Sequence, residues 1–245
     1  MEKSDGDADL AEAFDQAASR YDLLTGLNPG YHRHLDAAAR ELLGRLGSDP
    51  GLLLDLGCGS GSSTAALLRH APAAKVIGID ASAGMLEQAR GKPWPASVEF
   101  HQLPAERLAE LELPPADGAL AAYLLRNVDV ADRDATLALI LDRLRPGGWL
   151  AIQEYSVAGR RWALLVWTLV CWLVVIPLSW LVRGSPRLYR YLWRSVRAFD
   201  STTDVVARLE RAGFTAIEQL PVTGWQRGIL HIFLAQRPHR PTANR

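Results

Sequence analysis

The stretch that decides the fold is "GLLLDLGCGSGSSTAALLRH", which spans residues 51–70. Its apolar run "LLLDL" is typical of a buried strand, and "SSTAALLRH" has the Ser/Thr-rich start and apolar body of a helix. Between them lie Gly57, Gly59 and Gly61. Glycines at such a turn permit a tight bend and let the backbone approach a ligand closely. The stretch therefore predicts a strand, a ligand-binding glycine loop and a helix.

The rest of the chain alternates short apolar runs with helical patterns, which indicates βαβ units around a parallel sheet. The predicted strands are "GLLLDLG", "KVIGID", "SVEFHQL", "DGALAAYLL", "WLAIQEY", "TAIEQL" and "GILHIFLA". One predicted helix, ended by "RPGG", has an apolar face formed by Leu137, Ile140, Leu141 and Leu144. In another, Ser201 and Asp204 resemble a capping box and Gly213 suits the position after the last turn.

An acidic residue on the next strand extends the ligand prediction. Asp80 ends "KVIGID", 23 residues after Gly57, where a carboxylate can accept both hydroxyl groups of a ribose. The glycine spacing is G-x-G-x-G, whereas dinucleotide-binding folds carry G-x-G-x-x-G. The spacing therefore disfavours an NAD-dependent oxidoreductase.

Composition excludes several other classes of protein. The 245 residues include 27 basic and 27 acidic side chains, which gives no reason to expect a nucleic-acid partner. The two cysteines, Cys58 and Cys171, indicate neither a disulfide framework nor a metal site. The acidic N-terminus lacks the apolar core of a signal peptide, so we expect a cytoplasmic protein, with residues 1–10 and 237–245 disordered.

Five further motifs occur in order along the chain: "FDQAASRYDLL", "GYHR", "LLRNV", "QEYS" and "YRYLWRSV". They resemble F-D-x-x-A-x-x-Y-D, G-I-H-R, G-L-R-N-V, L-E-F-S and Y-R-Y-L-x-x-S-I of the ubiquinone/menaquinone C-methyltransferase family. The glycine loop and "LRPGGWLAI" resemble motifs of class I S-adenosylmethionine (SAM) methyltransferases. Together these similarities cover about residues 12–235.

The resemblance implies a fold and a reaction. The fold is α/β, with a Rossmann-like, mostly parallel sheet of seven strands and an apolar helical cap inserted after the fifth strand. Residues 11–155 would form the SAM-binding core, residues 156–200 the cap, and residues 201–236 the closing helix and strands. The reaction is methylation of a ring carbon of a prenylated quinol, with SAM as the cofactor.

The resemblance also implies a set of cofactor-binding residues. They are Tyr21, Asp55, Gly57, Gly59, Ser60, Gly61, Asp80, Ala81, Met85, Pro104, Ala105 and Ala122. Tyr21 would close over SAM, and Asp55 would lie near the methionine amino group, a cation that favours a carboxylate partner. Pro104 stands where family members carry Asn or Asp beside the adenine, so Ala105 would bind the ring through its backbone N–H.

Carbon methylation needs an electron-rich ring, and therefore a deprotonated or hydrogen-bonded quinol hydroxyl. We expect three polar residues to serve this role. His32 is expected to accept the hydroxyl proton, Arg126 to stabilise the oxyanion, and Asn127 to orient one of them. The alternatives are a surface histidine and a structural ion pair of Arg126. Glu154 is a further candidate, with a cap or a salt bridge as its structural alternative.

Three departures from the family pattern bear on the acceptor. The family's Trp-Lys after H-R is replaced by residues 34–36, its glycine before L-R-N-V by Leu124, and a later histidine by Phe233, with His231 two residues earlier. Each change would reshape the acceptor pocket. A methyltransferase for a phospholipid amine or a hydrophobic secondary metabolite therefore stays open, as does a catalytically silent SAM-binding assembly subunit.

The 21 residues between Arg161 and Arg183 carry no charge, which is the length of a membrane-spanning helix. The strands before and after them are expected in one sheet, which a single crossing would divide. We therefore interpret residues 162–182 as an apolar lid over the acceptor pocket, interrupted at Pro177.

A row of arginines follows the apolar segment. On a helix they form one basic stripe, made of Arg183, Arg187, Arg190, Arg194 and Arg197. This stripe beside an apolar helix predicts peripheral binding to the anionic inner face of a membrane. A solvated arginine face over a buried cap, or an interface with a protein partner, are the alternatives. The sequence leaves the oligomeric state open, including a homo-oligomer.

Overall fold

A seven-stranded sheet in the order β3-β2-β1-β4-β5-β7-β6 organises the computed structural model, which describes residues 30–47, 49–177 and 186–239. The strands are β1 Leu52–Leu56, β2 Lys75–Asp80, β3 Val98–Gln102, β4 Ala116–Ala122, β5 Leu144–Tyr155, β6 Thr215–Pro221 and β7 Leu230–Gln236. All pairings from β3 to β5 are parallel, and β7 runs antiparallel to both of its neighbours. The predicted mostly parallel sheet of seven strands is confirmed.

Because β1 to β5 pair in parallel, their carboxyl ends lie at one edge of the sheet. β1 pairs with β2 on one side and with β4 on the other, so the chain leaves β1 and β4 in opposite directions. Open α/β sheets bind their ligands in the crevice at such a point. Every residue of β1 is buried because helices cover both faces of the sheet, which explains its unbroken apolar run.

Seven α-helices surround the sheet in the described part of the chain. They are α1 Tyr31–Leu46, α2 Ser62–His70, α3 Ala83–Arg90, α4 Arg133–Arg143, α5 Arg161–Val170, α6 Pro186–Ala198 and α7 Thr202–Arg211. On one face of the sheet α1 packs across β4 and β5, and on the other α4 packs against α7. The capping box at the start of α7 is present with both of its hydrogen bonds. Gly213 follows that helix at a φ of 97°.

Two predicted boundaries are wrong. Leu144 does not lie on the apolar face of α4, because the helix ends at Arg143 and Leu144 is the first residue of β5. The strand predicted from "DGALAAYLL" ends at Ala122, because Tyr123 adopts a φ of 60°, which breaks the extended backbone.

Between β5 and α7 the chain forms α5, a π-helical turn over Cys171–Val175, and α6. No helix of the described residues is both long enough and apolar enough to span a membrane. Residues 178–182 of the predicted lid and Arg183 lie outside the described residues, as does Tyr21. The cap role of this segment and the domain boundaries stay predictions.

Candidate functional site

The glycine loop between β1 and α2 adopts the conformation that its sequence predicts. Gly57, Gly59 and Gly61 have φ values of 69°, 53° and 89°, in the left-handed region that favours glycine. A Cβ atom added at Gly61 would lie 2.7 Å from a ring carbon of Trp94, and one at Gly59 would lie 3.1 Å from the Met85 methyl group. The loop therefore needs glycine for both its backbone conformation and its packing.

Asp80 joins the glycine loop to the end of β2. Its two carboxylate oxygens accept the backbone N–H groups of Gly59 at 2.8 Å and Ser82 at 2.9 Å. The half-buried carboxylate is thus fixed at the carboxyl edge of the sheet, directly beside the glycine loop.

Asp55 lies beneath the loop and is fully buried. Its Oδ2 accepts the hydroxyl groups of Ser63 at 2.8 Å and Thr64 at 2.6 Å, while Oδ1 has no hydrogen-bond partner among the described residues. Burial raises the pKa of the Asp55 carboxyl to about 6. The geometry shows a carboxylate that anchors the start of α2 and keeps one oxygen uncommitted.

The other predicted cofactor residues surround the same edge. Met85 is buried on α3, and its backbone N–H donates to the Ser82 hydroxyl that caps this helix. Ala81 is exposed directly after β2, and Ala122 is the buried last residue of β4. The Ser60 side chain is buried within the loop, whereas its carbonyl accepts from Lys92 at 2.7 Å.

Pro104 and Ala105 lie beyond the end of β3. They start a 3₁₀ turn over Ala105–Glu110, and the neighbouring Leu103 N–H donates to the Asp80 carbonyl at 2.9 Å. The first N–H groups of a helical turn lack partners within the turn. The structure thus brings Ala105 to the edge at which the loop and Asp80 meet.

Arg126 forms a buried ion pair at the end of β4. Its Nη1 donates to Glu154 Oε1 at 2.7 Å, and its backbone N–H donates to Glu154 Oε2 at 3.2 Å. The exposed fractions of the two side chains are 7% and 0%. Nη1 also donates to the Tyr123 carbonyl at 3.1 Å. Glu154 therefore holds the guanidinium group, so the structural alternatives stated for both residues, an ion pair of Arg126 and a salt bridge of Glu154, are present.

Asn127 follows Arg126 in the same turn, whereas His32 lies on the surface of α1. The amide of Asn127 donates to the same Tyr123 carbonyl at 3.1 Å and accepts from the Tyr191 hydroxyl at 3.3 Å. His32 is exposed on the first turn of α1, with its ring edge-on to Tyr31 at 5.2 Å between centroids. Ring contacts through Tyr31 and Tyr123 link it to the ion pair.

These ring contacts belong to an aromatic row that the sequence did not predict. Tyr31 stacks on Tyr123 at 5.7 Å, Tyr123 on Tyr155 at 5.1 Å, and Tyr155 packs on Trp167 at 4.9 Å. The Arg126 guanidinium lies 5.5 Å above the Tyr123 ring. Burial raises the pKa of the Tyr123 phenol well above its usual value, so this hydroxyl stays protonated.

His34 is a buried histidine whose position the sequence spacing indicates. It lies on the buried face of α1, one turn before Ala38 and two before Leu42, and its Nε2 lies 3.2 Å from the Thr223 carbonyl. Burial lowers the pKa of His34. No sequence signal marks Tyr123, because its position depends on the left-handed φ at the end of β4.

Comparisons with known proteins give three findings. Residues 53–148 match the methyltransferase domain family. The chain is 32% identical to a demethylmenaquinone methyltransferase from Thermus thermophilus over 229 residues, which cover 92% of this chain and all of that protein. It is also 32% identical to the ubiquinone/menaquinone biosynthesis C-methyltransferase of Syntrophotalea carbinolica, covering 88% of this chain and 90% of the relative.

A solved structure supports the fold. The N-methyltransferase NodS from Bradyrhizobium japonicum, solved with S-adenosyl-L-homocysteine, aligns with a TM-score of 0.67 over 94% of this chain and 99% of its own. The identity is 16%, so this likeness concerns the fold alone. It confirms the Rossmann-like class I sheet.

Proposed function

Because the chain belongs to the ubiquinone/menaquinone C-methyltransferase family, we propose that it methylates a ring carbon of a prenylated quinol at a membrane surface. It is a SAM-dependent methyltransferase.

The glycine loop and Asp80 fit the cofactor. Side chains are absent at Gly57, Gly59 and Gly61, where the backbone must approach the ligand, and the Asp80 carboxylate is fixed for the ribose hydroxyls. When bound, SAM supplies an electrophilic methyl group. Because transfer is an in-line displacement, these residues contribute mainly by positioning.

Arg126 is the residue that we assign to the acceptor's oxygen. Its guanidinium group is oriented by Glu154 and by the Tyr123 carbonyl, so it can stabilise developing oxyanion charge without reorganising. Asn127 positions the same turn through the Tyr123 carbonyl. His32, exposed beside Tyr31, would pass the quinol proton to solvent.

The proposal that the acceptor is a lipid rests on α5, which contacts the aromatic row on one side and forms an exposed apolar surface on the other. Its inner side buries Trp167 against Tyr155. Its outer side, continued by the π-helical turn, exposes large apolar side chains at helical spacing: Trp162, Leu165, Val166, Leu169, Trp172 and Leu173. The exposed fractions of Trp162 and Leu173 are 79% and 70%. An apolar patch of this kind marks a protein or membrane contact.

Positive charge lies directly beside this apolar surface, which favours an anionic membrane over a neutral one. Trp193 of α6 packs edge-on against Trp172 at 5.9 Å, and the Arg197 guanidinium lies 5.4 Å from the Trp193 ring. Arg190, Arg194 and Arg197 are exposed. Each basic residue near an anionic bilayer contributes about 1 kcal/mol. Arg183 and the Arg187 side chain lie outside the described residues.

The acceptor is tested with SAM and a demethylated prenylated quinol in anionic vesicles under reducing conditions, with products identified by mass spectrometry. We expect a product heavier by one methylene group, methylated on carbon. If a phospholipid amine is methylated instead, the quinol assignment is wrong and the phospholipid is the acceptor. SAM binding without any turnover would favour an assembly subunit.

Membrane binding is tested by flotation with vesicles containing phosphatidylglycerol. Trp162→Gln and Leu173→Gln should each weaken binding, and Arg194→Glu with Arg197→Glu should make it weaker still. Trp225→Gln is the matched control, because Trp225 is also exposed but lies outside α5 and α6. Equal binding by all of these variants would remove the membrane surface from the proposal.

A further inference from the structure

Gln153 is a buried polar residue that the proposed chemistry does not use. It lies in β5 with no exposed surface, and neither its amide oxygen nor its amide nitrogen has a hydrogen-bond partner among the described residues. Roughly 90% or more of buried polar groups in folded proteins are hydrogen-bonded. A glutamine with both amide atoms unpaired in a buried strand therefore indicates a ligand or a bound water.

The side chain points to the face of the sheet that carries the aromatic row. On β5 the neighbours of Gln153 on that face are Ala151 and Tyr155. Its partners in register are Ala122 on β4 and Ile232 on β7, and all four neighbours belong to the apolar cluster that contains α1 and Trp167. Gln153 is thus the polar position on an otherwise apolar wall next to Tyr155.

Two more polar side chains contact Tyr155. The indole Nε1 of Trp167, whose ring packs on Tyr155, has no hydrogen-bond partner among the described residues. Gln226 is fully buried, donates to the Tyr155 hydroxyl at 3.3 Å, and has the His34 ring as a second hydrogen-bonding neighbour. Trp167 and Gln226 therefore contact Tyr155 directly, and Gln153 precedes Tyr155 by two residues on the same face of β5.

We propose that Gln153 and Trp167 bind a second oxygen of the acceptor's ring, distinct from the oxygen assigned to Arg126, while Gln226 positions Tyr155 beside them. A ring hydroxyl suits them, because it accepts from an N–H group and donates to an amide carbonyl. The ligand class is a dihydroxylated aromatic ring, held against the tyrosine row. The inference rests on the proposed function for the aromatic acceptor, but it concerns how the ring is bound and not whether it is methylated.

The test compares two probes that differ by one hydroxyl group. 1,4-Dihydroxynaphthalene and 1-naphthol are titrated anaerobically into the protein saturated with S-adenosyl-L-homocysteine, by calorimetry. Wild type should bind the dihydroxy compound about tenfold more tightly, because a buried polar site rejects an analogue that leaves it unpaired. Gln153→Leu should bind both probes alike and retain wild-type affinity for S-adenosyl-L-homocysteine.

Two further variants sharpen the result. Trp167→Phe keeps an aromatic ring against Tyr155 but replaces the indole by a smaller phenyl ring without Nε1, so the preference should fall several-fold. Gln236→Leu is the matched control: this glutamine bonds the Gly147 carbonyl at the opposite end of β5, and its variant should keep the wild-type preference.

Thermal melting separates ligand recognition from a structural role. Gln153→Leu removes two unpaired buried atoms, so its melting temperature should be unchanged or higher. A lower melting temperature with an unchanged probe preference would show that the amide binds a structural water, and would overturn the inference, as would a wild type without preference. Wild type that prefers the dihydroxy probe yet never methylates a quinol would refute the proposed function and leave this inference standing.

Discussion

Replacing Glu154 by Gln should strongly destabilise the protein, because it leaves a charged guanidinium group buried without its partner. Glu154 has no exposed surface, and it accepts hydrogen bonds from Arg126 Nη1 at 2.7 Å and from the backbone N–H of Tyr155 at 3.0 Å. Gln keeps the volume and one acceptor but removes the negative charge. The substitution therefore isolates the charge of the pair.

Breaking a buried ion pair by removing one partner costs about 3–5 kcal/mol. In a protein of this size, 1 kcal/mol shifts the melting temperature by roughly 2–4 °C. We expect Glu154→Gln to lower the melting temperature by roughly 6–20 °C. Combining it with Arg126→Met removes the uncompensated charge, so the double variant should recover about 2–3 kcal/mol relative to additive losses.

The assay is a double-mutant cycle measured by urea unfolding and by calorimetric melting, with methyl transfer followed in parallel. Glu110→Gln is the control, because its ion pair with Arg107 is exposed and should leave the melting temperature unchanged. The double variant should regain stability without regaining activity, since Arg126 is proposed to contact the acceptor. Additive single losses, or a Glu154→Gln variant as stable as the control, would refute the reasoning.

Three further predictions concern the cofactor site. Gly61→Ala should lose about 1–2 kcal/mol of stability and most of its SAM affinity in calorimetry. The reason is that Gly61 has a φ of 89° and that Trp94 occupies the space which a Cβ atom would need. Gly44→Ala is the control, because Gly44 has open space around it and the substitution should be neutral or stabilising. Asp80→Asn should weaken SAM binding by roughly 10-fold or more, because one of the two acceptor oxygens is lost; unchanged affinity would contradict the ribose assignment. The pKa of Asp55 is about 6 in the folded protein, against 3.8 for an ordinary aspartate, so ionisation of this carboxyl destabilises the fold as pH rises from about 4 to 6. Over that window the free energy of unfolding of the wild type should fall by on the order of 3 kcal/mol relative to Asp55→Asn. Unfolding measured at several pH values checks this.

Local features of this protein were predictable from its sequence. The three glycines of the loop require positive φ within a single turn, and Ser201 and Asp204 cap a helix through bonds three residues apart. Such features depend on neighbours in the chain, so residue type and spacing suffice to predict them. The order of apolar runs likewise predicts seven strands, because each must bury at least one face.

Features that depend on which strands lie side by side were not predictable in the same way. Arg126 and Glu154 are 28 residues apart and meet because β4 and β5 are neighbours. Gln153 lies in an apolar strand, and its unpaired amide becomes visible only when Tyr155 and its neighbours are in place. His34 is an intermediate case, because its spacing to Ala38 and Leu42 marks the buried side of α1.

The two sides of α5 explain why a lipidic acceptor is the better proposal. A cap helix over a water-soluble substrate would bury one side and present a polar side to solvent. Here the inner side reaches the aromatic row through Trp167, and the outer side exposes Trp162 and Leu169 to water. Exposed apolar surface of this extent is unfavourable unless something apolar covers it. A bilayer that also holds the prenyl chain would cover the outer side while the quinol ring enters beside the inner one, so a single membrane contact accounts for both.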